Sequence, residues 1–307
     1  MKLVAFRSAV LASCAMFGTS AAFAQSGGLY IGAFGGIGSS GGQSIAQNGT
    51  AHKGFSGEGE YEGNYYTYDL PVAQSGHSTH ESSTVFGGQI GYEWGNGSGL
   101  APAIEVEGLY LTADQNADLE NEDDEIPTKI AVIHDGVKTT VTDRAELSMA
   151  QHHGELAEGT HTFNNTANMK VAMFMLNGVM SYHATSKLTP YVGVGFGMAL
   201  VNMKDAVSLQ TGPGGVEKTG GRDDVNHFNS KDSAKDSVFA AQAKAGLRFQ
   251  ISGKTSLFAE YRYVNLASTD YTFGATIYPD HAPTDAWIVE HGSMHLHNGL
   301  VGIRFGF

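Results

Sequence analysis

The chain has little with which to staple or brace itself. Its one cysteine is Cys14, and that residue falls within a stretch that reads as an export signal. Lys2 and Arg7 give the segment a positive start, an apolar stretch covers 8–17, and Ala22-Phe23-Ala24 supplies an A-x-A cleavage pattern before Gln25. Cleavage between Ala24 and Gln25 would leave 25–307 without a thiol, so no disulfide could form there. An alternative reads Leu11-Ala12-Ser13-Cys14 as a lipidation motif that would retain Cys14 as an anchored first residue. Long apolar runs are missing too: nothing approaches the ~20 residues a membrane-crossing helix requires. Bases are few, 18 against 31 acids for a net charge of −13, which argues against a nucleic-acid partner. Proline is sparse, with 7 residues against 41 glycines, and together with the alternating apolar runs this points to β structure.

Eight stretches of ten or more residues carry apolar side chains at alternate positions, the length of a tilted transmembrane strand. They are 28–38, 83–94, 101–113, 166–183, 188–203, 237–251, 255–268 and 292–307. The connections alternate strictly. Long ones span 39–82, 114–165, 204–236 and 269–291, and short ones span 95–100, 184–187 and 252–254. The expected fold is therefore all-β: an eight-stranded antiparallel up-and-down transmembrane barrel with four long extracellular loops and three short periplasmic turns.

The two faces of each stretch agree with this. Val301, Ile303, Phe305 and Phe307 alternate with Gly302, Arg304 and Gly306, and Phe86, Ile90, Tyr92 and Trp94 oppose Gln89 and Glu93. Apolar-out, polar-in suits a lipid exterior, because only a closed barrel leaves no backbone edge unpaired in hydrocarbon. Outside the signal and the long loops the acids are Glu93, Glu105, Glu107 and Glu260, and the inward bases are Lys244, Arg248, Arg262 and Arg304. These eight are expected to form a lumenal ion-pair network, with Glu93, Arg248 and Arg304 in a lower layer and the rest nearer the middle, since an unpaired charge there would cost several kcal/mol. Gly193-x-Gly195-x-Gly197 recurs on a strand with no helix after it, so it reads as space for the side chains of Lys244 and Arg248 rather than as a phosphate loop.

Three segments carry a family resemblance: Thr189-Pro190-Tyr191-Val192-Gly193-Val194-Gly195, Phe258-Ala259-Glu260-Tyr261-Arg262-Tyr263, and the terminal Gly299-Leu300-Val301-Gly302-Ile303-Arg304-Phe305-Gly306-Phe307. They are similar to the opacity-protein and surface-antigen group of eight-stranded outer-membrane barrels. The resemblance covers the last four strands well and the first four by pattern. It implies membrane insertion and, in some members, adhesion to host surfaces through the loops. The terminal alternation implies that Ile303, Phe305 and Phe307 are read by the barrel-assembly machinery.

The long loops hold 27 acids and 9 bases. Acidic loops stay hydrated and repel anionic neighbours. The run 118–125 lacks the glycine-punctuated spacing of a calcium loop. Two short strands at 130–134 and 137–141 flank Asp135-Gly136, a hairpin signal, and are expected to project outward, with a ten-stranded barrel as the alternative. His77 with His80, His152-His153, and His295 with His297 lack a third and fourth ligand at recognisable spacing, so no metal or cofactor is expected. Ser181 and His183, two inward side chains near a turn, do not make a catalytic constellation. The expected function is structural and surface-displaying, with outer-membrane lipid, the assembly machinery and possible cell-surface ligands of the loops as partners. A narrow passive pore is the alternative.

Overall fold

Alternation fixes the strands, because a strand sends successive side chains to opposite faces and each face here meets a different medium. The computed structural model describes residues 28–57, 62–95, 99–121, 128–140, 162–183, 187–211, 225–278 and 281–307. Cys14, Ala24, Gln25, His152 and His153 lie outside these residues, as does the acidic run beyond Asn121.

Eight strands pair antiparallel into a closed ring. In ring order they are β1 (Gly28–Ser40), β4 (Ser82–Glu93), β5 (Gly99–Asn121), β8 (Thr162–His183), β9 (Leu188–Thr211), β10 (Ala234–Gln250), β11 (Thr255–Leu266) and β14 (Met294–Gly306). The ring closes along β1 and β14, from Tyr30 opposite Gly306 to Ser40 opposite Leu296. This is the eight-stranded up-and-down barrel, with no lateral edge left open.

Several walls are taller than their apolar alternation. β5 continues past residue 113 to Asn121, β8 begins at Thr162, and β9 runs on to Thr211, so parts of the expected loops 114–165 and 204–236 are strand. The physical reason is an inversion of pattern. On β5, Ile104, Val106 and Tyr110 face out while Glu105 and Glu107 are buried; higher up, Asp114, Asn116 and Asp118 face out while Ala117 and Leu119 are buried. The lower wall meets lipid and the upper wall meets water, and an apolar-out criterion stops where the medium changes.

The remaining strands build a folded crown on the tall side. The first long loop, expected over 39–82, is a hairpin of β2 (Ser44–Ser56) and β3 (Tyr65–Ser78). β3 docks on the top of β5, from Gln74 opposite Asn121 to Ser78 opposite Ala117. In the fourth loop, expected over 269–291, β12 (Thr269–Thr272) pairs with β13 (Ile288–His291), which adds to β2. β6 (Thr128–His134) and β7 (Val137–Thr140) form the outward hairpin, hung on β3 and outside the ring. Its turn has positive φ at Asp135 (46°) and Gly136 (80°), a twist that matches the flanking strands. Under the crown, Phe228 stacks on Phe273 at 4.4 Å between ring centroids, and Trp287 and Tyr271 are almost fully buried.

Candidate functional site

The lumen is organised in layers. At the periplasmic end Glu93 of β4 accepts from Arg248 of β10 at 3.0 and 3.2 Å and from Arg304 of β14 at 3.1 Å. Ser181 donates to the same carboxylate, and the His183 ring lies 3.2 Å from it, so these two inward residues are taken up by Glu93. Arg304 also lies over the Tyr30 ring, 3.4 Å from its centroid.

One layer higher, Lys244 contacts Glu105 closely, Glu107 at 3.2 Å and Glu260 at 3.9 Å. Arg262 is fully buried, contacts Glu107 closely, and donates from Nε to Glu260 at 2.9 Å. The eight residues singled out from the sequence thus meet in two clusters. The lower cluster has two guanidiniums on one carboxylate, the upper has three carboxylates on two cations, and the excesses cancel between them.

Sequence reading missed the neutral partners. Asn177 donates to Glu105 at 3.1 Å and to Glu107 at 2.9 Å, and Gln242 donates to Asn177 at 2.6 Å. Tyr30 donates to Glu105 at 2.9 Å and Tyr191 to Glu260 at 3.0 Å. Each sits at an inward position, so strand parity was the available signal. The glycine strip serves this layer in part: a side chain on Gly193 would press the Lys244 stem, and one on Gly195 would collide with the Asn177 amide. Arg248 is not among the groups that strip accommodates.

Between the two clusters lies a cavity of about 20 Å³, bounded by Tyr30, Gln89, Ser181, Lys244, Arg248 and Arg304, room for a single water. Above the upper cluster the lumen turns apolar. Val85, Leu111, Val171, Met173, Val264 and Leu296 are all buried there. From the level of Glu107 to that of Gln115 the wall climbs about 20 Å, at ~3.3 Å per residue and a tilt of ~40°.

A second polar belt closes the top. Gln43 and Gln115 approach Nδ1 of His291 at 3.1 and 3.2 Å, Asn165 donates to Gln47 at 2.6 Å, and Gln47 donates to Ser208 at 3.2 Å. His227, on the β9–β10 connection, sits among the rings of Phe163, His281 and Trp287 with Nδ1 3.0 Å from the Ser208 carbonyl. Burial pushes both imidazoles down to about 4 and keeps them neutral.

His52 behaves in the opposite way. It lies between Asp69 of β3 at 2.8 Å and Asp285 of the fourth loop at 3.2 Å. These two hydrogen-bonded carboxylates raise its pKa. The clamp is fully present below the ordinary histidine pKa of ~6.5 and is lost as pH rises through the raised value. His52→Ala is therefore expected to speed proteolysis of the strap around Asp285 at pH 6, and the difference from wild type is expected to vanish by pH 9. An equal difference at both pH values would discount the clamp.

Elsewhere, His77 and His80 are exposed near the end of β3, and Nδ1 of His295 and of His297 is hydrogen-bonded to the hydroxyl of Tyr263 and of Tyr261 on the outer wall, each at 2.7 Å. Among the described residues, no three His, Cys, Asp or Glu side chains converge on a metal-holding geometry. Asp118 of the acidic run accepts from Asn164 at 2.8 Å. At the lower rim Tyr92 and Trp94 meet edge-on at 5.1 Å, and Phe249, Phe305 and Phe307 face outward. Phe305 and Ile303 lie opposite Ile31 and Ala33 along the closing seam.

The model of the surface antigen family matches residues 67–307, the greater part of the chain. The chain belongs to that family of outer-membrane β-barrels. Among curated proteins none matches this surface antigen. Solved outer-membrane proteins resemble it at low identity. OprG of Pseudomonas aeruginosa is 10% identical, with 91% of this chain and 96% of that one covered and a TM-score of 0.37. The attachment invasion locus protein Ail of Yersinia pestis, solved with a heparin analogue, is 10% identical over 91% and 99% of the two chains, at a TM-score of 0.30. Neisserial surface protein A is 11% identical over 87% and 99%, at 0.28.

Proposed function

We propose that this surface antigen is a sealed barrel that anchors a rigid, acidic crown at the cell surface as an interaction platform. The observation that carries the reading is the apolar layer across the lumen between the Glu107 and Gln115 levels. An ion crossing it would shed its hydration and meet only the neutral side chains of Ser83 and Asn298 in exchange, at a cost of several kcal/mol or more, and apolar constrictions of this kind also exclude water. The polar column below it opens toward the periplasm and stops there, which supports anchoring over conduction.

The crown supplies the other half of the argument. Backbone pairing runs from β12 through β13, β2 and β3 onto β5, so the surface it presents is fixed by the barrel. Its surplus of carboxylates favours basic partners over polyanions.

Planar-bilayer recording tests the reading. Purified wild-type protein is expected to give no stable openings at either polarity, whereas Leu111→Ser/Met173→Ser, which wets the layer, is expected to give small cation- or anion-carrying steps. Reproducible openings from the wild type would favour the narrow-pore alternative and sink the sealed lumen.

A further inference from the structure

On the outside of the wall, β8, β9 and β10 gather three lysines. Lys170 of β8 and Lys235 of β10 both lie directly opposite Asn202 of β9, and Lys204 follows two positions along β9 on the same face. All three are exposed. None takes part in an ion pair among the described residues. The long loops of this chain are dominated by acids, so a row of three unpaired cations on one face needs an explanation.

The rows beneath them show what medium the lysines border. Directly below on the same face come Ala172, Leu200 and Ser237, and below those Phe174, Met198 and Phe239. Phe174 is 64% exposed, Leu200 52% and Phe239 54%, values expected of a wall solvated by acyl chains. From Phe174 to Lys170 the strand runs about 13 Å, a climb of about 10 Å at a tilt of ~40°. The patch thus passes from aromatic to basic over the distance from acyl chains to headgroups, with the lysine stems free to extend toward the headgroup level.

On the β5 side of Lys170 the wall forms an open depression of about 570 Å³ whose lining includes Ile37, Thr84, Thr112, Asp114 and Asn168. It offers hydroxyl, amide and carboxylate groups, the donors and acceptors that sugar hydroxyls require. Asp114 and Asp205 lie on this side, and Asp205 is held by Asn168 at 2.9 Å. Asp236, next to Lys235, turns to the backbone amides of Ser237 and Asp270 at 2.7 and 3.0 Å. The position between Lys170 and Lys235, over Asn202, therefore has a cation on each side, while the neighbouring carboxylates of Asp205 and Asp236 are engaged by Asn168 and by backbone amides.

We propose that Lys170, Asn202, Lys204 and Lys235 bind the phosphate of a phosphorylated glycolipid in the outer leaflet. Its acyl chains lie on Phe174, Leu200 and Phe239, and its sugar occupies the depression beside Lys170. The inference rests on the barrel's residence in the outer membrane. A soluble polyanion gains nothing from the apolar rows and is repelled by the crown above, and a free phosphate gains nothing from the depression.

The test uses the full mature chain folded in neutral detergent and titrated with diphosphorylated lipid A, with the same lipid dephosphorylated, or with inorganic phosphate, while retained lipid is read by native mass spectrometry. Wild type is expected to keep the phosphorylated lipid at least tenfold better than the dephosphorylated one. Lys170→Gln/Lys235→Gln is expected to lose about thirtyfold in affinity for the phosphorylated form, about one decade or less for each surface lysine, and to bind the dephosphorylated form as before. Millimolar inorganic phosphate is expected not to displace the lipid. Equal retention of the two lipids, an unaltered double variant, or displacement by inorganic phosphate would each overturn the assignment. Retention of native barrel mobility on unheated gels shows that the variant is folded, and insertion of wild type into protein-free vesicles checks the membrane reading separately. A barrel that inserts but shows no phosphate preference sinks this inference alone.

Discussion

Arg262→Met is expected to destabilise the barrel by about 3–5 kcal/mol, the usual consequence of removing one partner from a buried charge pair. Arg262 is fully buried and is the main cation facing both Glu107 and Glu260. Without it three buried carboxylates share Lys244, and the upper cluster carries two uncompensated charges. Methionine fills much of the vacated volume, so the loss reports charge more than a cavity. Adding Glu107→Leu returns the upper cluster to the wild-type excess of one carboxylate, and the double variant is expected to recover more than half of the loss. Urea unfolding in detergent micelles, followed by the fluorescence of Trp94 and Trp287, measures both. A single variant that unfolds at the wild-type urea concentration, or a double variant no better than the single, would show that these charges do not act as a unit.

Acidification is expected to open the crown while the transmembrane ring stays closed. His227 and His291 are neutral in the fold with values near 4, against ~6.5 in an opened crown, so the opened form binds more protons between those limits. Stability contributed by the neutral rings is complete above about pH 6.5, falls as pH drops, and is fully lost below about pH 4. Each histidine accounts for about 3 kcal/mol at the acid end. The His52 clamp is charged throughout that window and does not offset the change. Hydrogen–deuterium exchange at pH 7.5 and 4.5 is expected to show β2, β3 and β13 losing protection while β10 and β11 keep theirs. His227→Gln/His291→Gln is expected to flatten the difference. Uniform loss of protection across crown and ring would contradict a separate acid response of the upper storey.

The ring was legible because two periodicities coincided: side chains alternating apolar and polar, and connections alternating long and short. The ionic residues were legible because a charge within an otherwise apolar alternation has one face left to occupy. Above the lipid boundary the hairpin around Asp135-Gly136 was legible from its turn, and the rest escaped. On β5 the sequence Asp114-Gln115-Asn116-Ala117-Asp118-Leu119 reads as polar loop, yet Gln115, Ala117 and Leu119 are buried and the strand is unbroken. A buried polar position such as Gln115 has no sequence signature apart from the His291 it meets, 176 residues away. The lysine row escaped for the same reason, since Lys170 and Lys235 become neighbours only when β9 is set between them.

β5 and β8 are continuous from the periplasmic turn into the crown, paired from Gly99 opposite His183 to Glu120 opposite Thr162. A pull exerted on the crown by whatever it holds is therefore carried along the strand axes as shear, across many hydrogen bonds loaded side by side rather than unzipped one at a time. The same geometry that displays the surface makes it a mechanical tether, with the load delivered into the bilayer by two of the three tallest strands of the wall.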